Sequence, residues 1–290
     1  MTHVPLRNDA DPQWRELHAA ADTEWVSFTR LWWLAFQGLV ARSVLLRLRS
    51  ALRFGNVETA MAAVPVLDLL TIRPAVEEIL RRVAMAGAGI GKAAEVVVRL
   101  GPGSIASADV AFWARQHSAQ LVVGVTDQTR RAIRQAILET LQRGVGPVKA
   151  APLIEASIGL NRVQVTALLN RADELRKAGL SAERINARLA RYAAQLRRQR
   201  AQVIARHELI QAANEGRRLQ WEREARDGLI VPDRWEREWV AIVPSDGRTC
   251  PYCEEQDGQH APINGVYPDG SDGPPGHVLC RCTEVLRRVA

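Results

Sequence analysis

Hydrophobic positions recur at helical spacing along most of the chain. Between residues 12 and 54 the apolar and aromatic side chains fall three or four positions apart, and the pattern stops at the turn-forming pair Gly55-Asn56. The same spacing predicts further helices over 57–70, 74–85, 108–120, 127–143, 148–157, 162–178 and 181–227. We therefore expect a mainly α fold, with a multi-helix N-terminal and central region.

Aromatic residues form a stripe on the first predicted helices. Trp25, Phe28, Trp32, Trp33 and Phe36 recur at helical spacing. A stripe of this kind is usually buried in the core, and a surface that docks a partner protein is the alternative.

A glycine-rich run, Gly-Ala-Gly-Ile-Gly-Lys at 87–92, has two interpretations. A phosphate-binding loop needs a glycine separated by four residues from the Gly-Lys pair, and a Ser or Thr after the lysine. Ala86 and Ala93 occupy those two positions. We therefore predict a flexible linker between helices.

The composition changes after Gly228, where proline, glycine, aspartate and serine become frequent. Within this segment the run 239–243 has the β-branched character of a strand. We predict three parts: an N-terminal helical region over 1–102, a central helical region over 103–230 that ends in a long basic helix, and a small loop-rich α+β domain over 231–290.

The chain is basic, with a formal net charge of +7 at pH 7 that comes mainly from arginine. Much of this charge is expected on solvated helix faces and in ion pairs. The long predicted helix is especially rich in arginine, and its exposed arginines could track nucleic-acid phosphates. These arginines are Arg191, Arg197, Arg198, Arg200, Arg206, Arg217 and Arg218.

No membrane partner is expected. The apolar window from 31 to 48 is interrupted by Arg42 and Arg47, which leaves it shorter than the ~20 residues that a bilayer requires. The first residues are polar and acidic and do not resemble a signal peptide. We therefore expect the protein to fold in the cytoplasm.

Cysteine occurs only near the C-terminus. Cys250 and Cys253 form one pair, and Cys280 and Cys282 form another, with His277 three residues before it. Two closely spaced thiolates from one turn, closed by His and Cys from a second segment, are the usual donors of a tetrahedral zinc site. All five residues are candidate metal ligands, and the choice between the last two cysteines stays open.

Zinc is the predicted cofactor, with disulfides, free thiols or an iron–sulfur centre as alternatives. Four or five Cys and His ligands would fill the coordination sphere, so the site is expected to be structural and the protein not to be an enzyme. A zinc-dependent nuclease and a zinc-knuckle DNA-binding protein are the alternative functions. Metal binding would also supply folding energy to a segment too small for a large core.

The C-terminal segment resembles the signature of the phage Mu F-like minor head proteins. The residues that carry the resemblance are the run 245–253 (Ser-Asp-Gly-Arg-Thr-Cys-Pro-Tyr-Cys), Gln256-Asp257-Gly258, Pro274-Pro275-Gly276-His277 and Cys280-Arg281-Cys282. Upstream, Ile-Ala-Arg-His-Glu at 204–208, followed by Ala212, Asn214 and Gly216, is similar to a family helix, although His207 stands where the family usually has Thr. Residues 126–130 and 158–160 fit its helical middle, so the resemblance covers about 105–288.

The resemblance implies a virion protein present in few copies in the phage head. It implies association with the portal protein and other head proteins, and a role in head assembly or in handling packaged DNA, for which the basic helix is suited. The first hundred residues lie outside the signature and are the candidate docking part.

Overall fold

The structure, a computed structural model, describes residues 12–40, 42–90, 106–241 and 249–289. These ranges are mainly helical, which confirms the predicted class. The helices are α1 (Pro12–Thr23), α2 (Trp25–Gly38), α3 (Arg42–Arg53), α4 (Val57–Ala62), α5 (Arg73–Ile90), α6 (Ser107–Gln142), α7 (Pro147–Ser157), α8 (Arg162–Lys177), α9 (Ala182–Arg226) and α10 (Pro251–Gln256). Two 3-10 helices, Val66–Ile72 and Pro232–Arg234, lie between them.

A small antiparallel sheet follows α9. It consists of β1 (Trp235–Val240), β2 (His260–Pro262) and β3 (Thr283–Arg288), in the order β2-β1-β3. The predicted strand over 239–243 was therefore placed four residues too late, because the charged residues at the start of β1 also pair in the sheet; residues 242 and 243 lie outside the described ranges.

The chain divides by contacts into two compact units. Unit 1 comprises Met1–Phe28, Val76–His117 and Val203–Ala290, and unit 2 comprises Thr29–Ala75 and Ser118–Gln202. Both units are discontinuous in sequence, whereas the predicted parts were consecutive segments. The predicted boundary at 102 lies outside the described residues, and the three-part division stays a prediction.

In unit 1, helices α5 and α9 cross at two glycines. A Cβ atom on Gly87 would lie 2.1 Å from the carbonyl oxygen of Ala213, and one on Gly216 would lie 1.8 Å from that of Ala84. Both distances are far below van der Waals contact, so only glycine permits this approach of the two backbones. The crossing positions α9, which leads directly into the C-terminal sheet.

This crossing also distinguishes between the two interpretations of the glycine-rich run at 87–92. Residues 87–90 form the last turn of α5, and Gly87 packs against α9, so the predicted linker is wrong there; residues 91 and 92 lie outside the described ranges. The small residues reflect tight helix packing and not local flexibility.

We expect Gly87→Ala to destabilise the protein by about 1–3 kcal/mol, because the added methyl group must push two helix backbones apart. Gly89→Ala is the matched control on the same helix, since a Cβ there would meet no atom within 4 Å. The control should be neutral or gain up to about 1 kcal/mol in helix propensity. Urea denaturation of both variants measures the difference, and equal stabilities would contradict the close crossing.

Three members of the aromatic stripe, Phe28, Trp32 and Phe36, are fully buried, which confirms the core interpretation for them. The other two are half-buried. The guanidinium of Arg206 lies 5.7 Å from the Trp25 ring centre, a cation–π contact within unit 1.

In unit 2, two buried arginines of α9 complete the end of α7. Arg197 donates to the carbonyl oxygens of Ala156 (3.1 Å) and Ile158 (3.0 Å). Arg200 donates to the carbonyl oxygen of Gly159 at 3.1 Å. The last carbonyls of a helix have no partner inside the helix, so these guanidinium groups supply one. Burial lowers the pKa of Arg200 to about 10, which keeps it protonated at neutral pH.

The arginine side chains of the long helix α9 are therefore less exposed than predicted. Arg197, Arg200 and Arg217 are buried. Arg218 pairs with Glu215 and Glu222 of the same helix, at 2.6 and 2.8 Å. Of the predicted phosphate contacts only Arg191, Arg198 and Arg206 are exposed. Three of the seven predicted arginines of α9 therefore serve as internal hydrogen-bond donors.

Helix α6 runs without interruption where two helices, 108–120 and 127–143, were predicted. The hydroxyl groups of Thr126 and Thr129 donate to the carbonyl oxygens of Val122 (2.7 Å) and Val125 (2.8 Å), inside the helix. Thr126 therefore bonds back along a continuous helix and does not begin a new one. By contrast, Asn161 caps α8 in a reciprocal capping box with Gln164, which separates α8 from α7.

One helical stretch in the described part, Val57–Ile90, is long and apolar enough to cross a membrane by length and composition. Core helices of soluble proteins meet the same criteria. The stretch also changes from α-helix to 3-10 helix after Pro65, and α5 carries the ion pair of Glu78 with Arg81. The expectation of no membrane partner stays a prediction.

Candidate metal centre

The first cysteine pair lies at the start of helix α10. Cys250 is its N-cap, Pro251 occupies the first turn, and Cys253 is buried one turn later. The backbone N–H of Cys253 donates to the sulfur of Cys250 at 3.4 Å. Proline at this position fixes the backbone for helix entry, so both sulfurs are presented from one tight turn.

The second segment is a turn between His277 and Cys280. The N–H of Cys280 donates to the carbonyl oxygen of His277 at 3.0 Å. Leu279 within the turn has a φ of 69°, which is a rare conformation for a branched residue. Cys282 follows, buried, immediately before β3. The strained turn brings the imidazole and the next sulfur to the same side.

The side chains of the two segments converge. The Nε2 atom of His277 lies 3.2 Å from the sulfur of Cys250 and 3.1 Å from that of Cys253. The sulfurs of Cys253 and Cys280 are 3.7 Å apart. Cys253, Cys280 and Cys282 also form a group of ligand atoms within 4.8 Å of one another. All five predicted residues thus meet around Cys253.

Hydrogen bonds set the protonation of His277 and of the two buried sulfurs. The Nδ1 atom of His277 lies 2.8 Å from the carbonyl oxygen of Val278, which can only accept, so Nδ1 carries the proton and Nε2 turns its lone pair to the sulfurs. The hydrogen bond from Cys253 lowers the pKa of the Cys280 thiol, and the same bond raises the pKa of Cys253. Cys280 is accordingly the thiolate of the pair.

The cluster could hold a metal ion. All four cysteines of the chain are free thiols, and the 3.7 Å between Cys253 and Cys280 exceeds the ~2.05 Å of a disulfide. Two thiolates on a tetrahedral zinc ion, with Zn–S near 2.3 Å, are separated by about 3.8 Å. The sulfur separation therefore fits shared coordination better than a covalent bond.

A second feature, which the sequence interpretation missed, anchors the loops around the cluster. Arg237 on β1 forms a fully buried ion pair with Glu284 on β3 at 2.9 Å, and Tyr267 donates to the same carboxylate at 3.1 Å. Arg237 also donates to the carbonyl oxygens of Pro262 (3.1 Å) and Asp272 (2.8 Å). The guanidinium of Arg237 on β1 thus contacts β2, β3 and the loop that leads from β2 to the histidine turn.

Helix α1 also reaches the cluster. The indole N–H of Trp14 donates to the carbonyl oxygen of Arg281 at 3.3 Å, and Nε2 of His18 lies 3.1 Å from the same oxygen. Arg281 is the residue between Cys280 and Cys282. The N-terminal helix is thereby attached to the second cysteine pair, a contact that no local sequence pattern signals.

Part of the signature lies outside the described residues. Residues 242–248, which include Ser245 to Arg248 of the predicted motif, lie outside the described ranges. Asp257, from the Gln-Asp-Gly part of the motif, accepts from the backbone N–H of Ala241 at 2.9 Å. This carboxylate holds the end of β1 against the turn after α10. Asp257 therefore stabilises the local backbone arrangement.

Comparison with known proteins gives a match to a protein family. Residues 131–285 match the family model described as Phage Mu protein F like protein. No curated protein and no solved structure matches the chain significantly. The matched range contains the end of α6, all of α7 to α9, and every candidate metal ligand.

Proposed function

The chain belongs to the phage Mu protein F-like family, whose model matches more than half of its residues, and we propose that it is a minor head protein of a tailed phage or prophage that acts in head morphogenesis or genome packaging. The observation that carries this proposal is the family match over 131–285, a range that also contains the converging ligand cluster. A metal held there would stabilise a compact C-terminal structure for assembly into the head.

The metal that best suits these donors is zinc, which prefers thiolate and imidazole ligands in tetrahedral sites. We assign the four places to Cys250, Cys253, His277 and Cys280. Cys282 shares the group around Cys253, but its backbone N–H donates to the sulfur of Cys280 at 3.4 Å, a bond that orients a ligand. When bound, the zinc would supply folding energy and structural rigidity.

We propose that the protein is not an enzyme. Four sulfur and nitrogen donors fill a tetrahedral sphere and leave no position for a metal-bound water. Incubation of the purified zinc-loaded protein with supercoiled plasmid, with and without added Mg²⁺ or Mn²⁺, tests this. A plasmid-nicking activity that copurifies with the wild-type protein and is absent from the Cys253→Ser variant would favour the nuclease alternative.

We propose packaged DNA as a partner of unit 2. Arg184, Arg188, Arg191 and Arg198 are all exposed on α9 and are spaced so that they follow one face of the helix. This row keeps Arg191 and Arg198 of the predicted set and adds Arg184 and Arg188, whereas three of the other predicted arginines are buried. A row of guanidinium groups along a rigid helix suits successive phosphates of a duplex.

The double variant Arg188→Gln, Arg191→Gln should bind duplex DNA about tenfold or more weakly, and the slope of log affinity against log salt should fall by about two. Arg53→Gln, Arg73→Gln is the matched control, since it removes two exposed arginines from other helices of unit 2. Fluorescence anisotropy at several salt concentrations gives both quantities. An equal loss in the control would reduce the effect to net charge and contradict a site on α9.

We propose the portal protein as the partner of the N-terminal helices. Phe54, which directly follows α3, is 83% exposed and Leu46 on α3 is 66% exposed, so two large apolar side chains of this region are accessible to a partner. Cosedimentation of Phe54→Ser with assembled portal tests this contact. Wild-type binding by the variant would exclude this end of α3 from the interface.

A further inference from the structure

A cleft of about 520 Å³ lies in unit 1 beside the second cysteine pair. Three elements and one loop residue form it: α1, the start of α2, the middle of α9, and Arg281. The residues that matter for its chemistry are Trp14, Arg15, His18, Trp25, Arg206 and Arg281. We call it the α1 cleft. Its volume falls within the ~300–1,000 Å³ typical of small-ligand sites.

The walls of the α1 cleft are fixed. Trp14 and His18 meet the Arg281 carbonyl oxygen, and the guanidinium of Arg217 donates to the carbonyl oxygen of Gln13 at 3.0 Å. The rings of Trp14 and His18 are 4.1 Å apart at their centres. Because α1 is bound at its first turns from two directions, the cleft is formed before any ligand arrives.

The cleft is positively charged. Arg15 and Arg206 are exposed and Arg281 is partly exposed, and none of the three forms an ion pair with a carboxylate in the described residues. Asp22 is the acidic residue that lines the cleft. Burial lowers the pKa of His18 to about 4, so its imidazole is neutral and adds no charge. Three guanidinium groups against one carboxylate leave a net attraction for anions.

The cleft also offers aromatic surface. Trp14 and Trp25 line it from α1 and α2, together with the apolar side chains of Leu209 and Ile210. Guanidinium groups bind phosphate oxygens in pairs, and indole rings stack on bases of any sequence. An acidic peptide would satisfy the arginines but would make no use of the indole surface, whereas a nucleotide would engage both.

We propose that the α1 cleft binds a nucleotide, either free or at the end of a nucleic-acid strand, through its phosphate and its base. The arginines take the phosphate and an indole takes the base. This inference is independent of the proposed DNA contact on α9, which concerns a duplex backbone and other arginines.

Isothermal titration of the full chain with dAMP, inorganic phosphate and a 5′-phosphorylated single-stranded oligonucleotide tests the proposal. We expect dAMP to bind at least about tenfold more tightly than inorganic phosphate, which reflects stacking of the base. Tight binding of dAMP alone would assign the cleft to free nucleotides, and tight binding of the oligonucleotide to strand ends. Equal affinities for dAMP and phosphate would overturn the proposal.

Three variants locate the binding. Arg206→Gln and Arg15→Gln, both at exposed positions, should each weaken dAMP binding about tenfold, as expected for one charge-assisted contact. Arg234→Gln removes an exposed arginine of unit 1 outside the cleft and should leave the affinity unchanged. Thermal unfolding followed by circular dichroism confirms that each variant is folded.

Two further results would contradict the inference. One is a wild-type dAMP affinity in both Arg206→Gln and Arg15→Gln. The other is displacement of dAMP by a glutamate-rich peptide at comparable concentration, which would assign the cleft to an acidic protein segment. The double variant Arg188→Gln, Arg191→Gln should bind dAMP normally, so failure of the α9 contact and failure of the cleft are distinguishable.

Discussion

Cys253→Ser should abolish zinc binding and unfold the C-terminal part of the chain. Cys253 is the residue common to both groups of candidate ligands, and its sulfur lies within 3.7 Å of Cys280 and 3.1 Å of His277. Structural zinc contributes an apparent ~10–16 kcal/mol in small metal-dependent folds, which exceeds the stability of most domains. Loss of this contribution should leave the α10 and His277 segments without a fixed structure.

Zinc content and hydrogen exchange measure this prediction. Backbone amides of 250–289 should exchange rapidly in Cys253→Ser, while those of α8 in unit 2 keep their protection. Cys282→Ser is the matched control, because we assign its sulfur no coordination place; it should retain zinc. Retention of zinc by Cys253→Ser would refute the site, and loss of zinc in Cys282→Ser would move the fourth ligand from Cys280 to Cys282.

Arg237→Met should destabilise the protein by about 3–5 kcal/mol, because it leaves the Glu284 carboxylate buried without its charge partner. Both side chains are almost inaccessible, at 1% and 2% exposure. Burial already raises the pKa of Glu284, and loss of the arginine should raise it further. A carboxyl group with a raised folded-state pKa favours folding below its unfolded pKa and loses that effect as the pH rises. The variant should therefore be relatively more stable at acidic pH.

The double variant Arg237→Met, Glu284→Met separates charge from packing. Replacing both partners of a buried pair by apolar residues is often close to neutral, so the double variant should recover much of the loss. Urea denaturation at neutral and acidic pH provides the comparison. Equal stabilities of the single and double variants would show that the guanidinium bonds to the loop carbonyls, and not the ion pair, dominate.

The ligand cluster was predictable because its chemistry is local to two short segments. A Cys-x-x-Cys pair with proline between its cysteines presents two sulfurs from one turn, and His277 precedes the next cysteine closely enough to share a turn with it. The signal depends on residue type and spacing, which the sequence states directly. The choice between Cys280 and Cys282 depended instead on a hydrogen bond from the Cys282 backbone N–H to the Cys280 sulfur.

The buried arginines were not predictable in the same way. Arg197 and Arg200 lie on a helix whose charged side chains were expected to be in solvent. Their hydrogen-bond acceptors are carbonyl groups at the end of another helix, and the two acceptors of Arg197 are 41 and 39 residues earlier in the chain. Helical periodicity does not reveal which polar face is buried when backbone groups are the partners. In β1 a weak signal exists, since Arg237 shares a strand face with Trp235 and Trp239.

The attachment of α1 to the cysteine segment depends on contacts between residues that are even farther apart in sequence. Trp14 and Arg281 are 267 positions apart. Similarly, the crossing of α5 and α9 requires Gly87 and Gly216 together, and neither glycine by itself distinguishes a helix crossing from a linker. Such contacts follow from tertiary packing, which local propensity does not encode.

Metal analysis of the purified wild-type protein, paired with a thiol count before and after chelation, tests the central claim most directly. We predict one zinc ion per chain, with its cysteine ligands unreactive until a chelator removes the metal and the C-terminal segment loses its protection from exchange. Four thiols that react fully without chelation, in a protein free of zinc and still folded over 250–289, would contradict a structural metal centre.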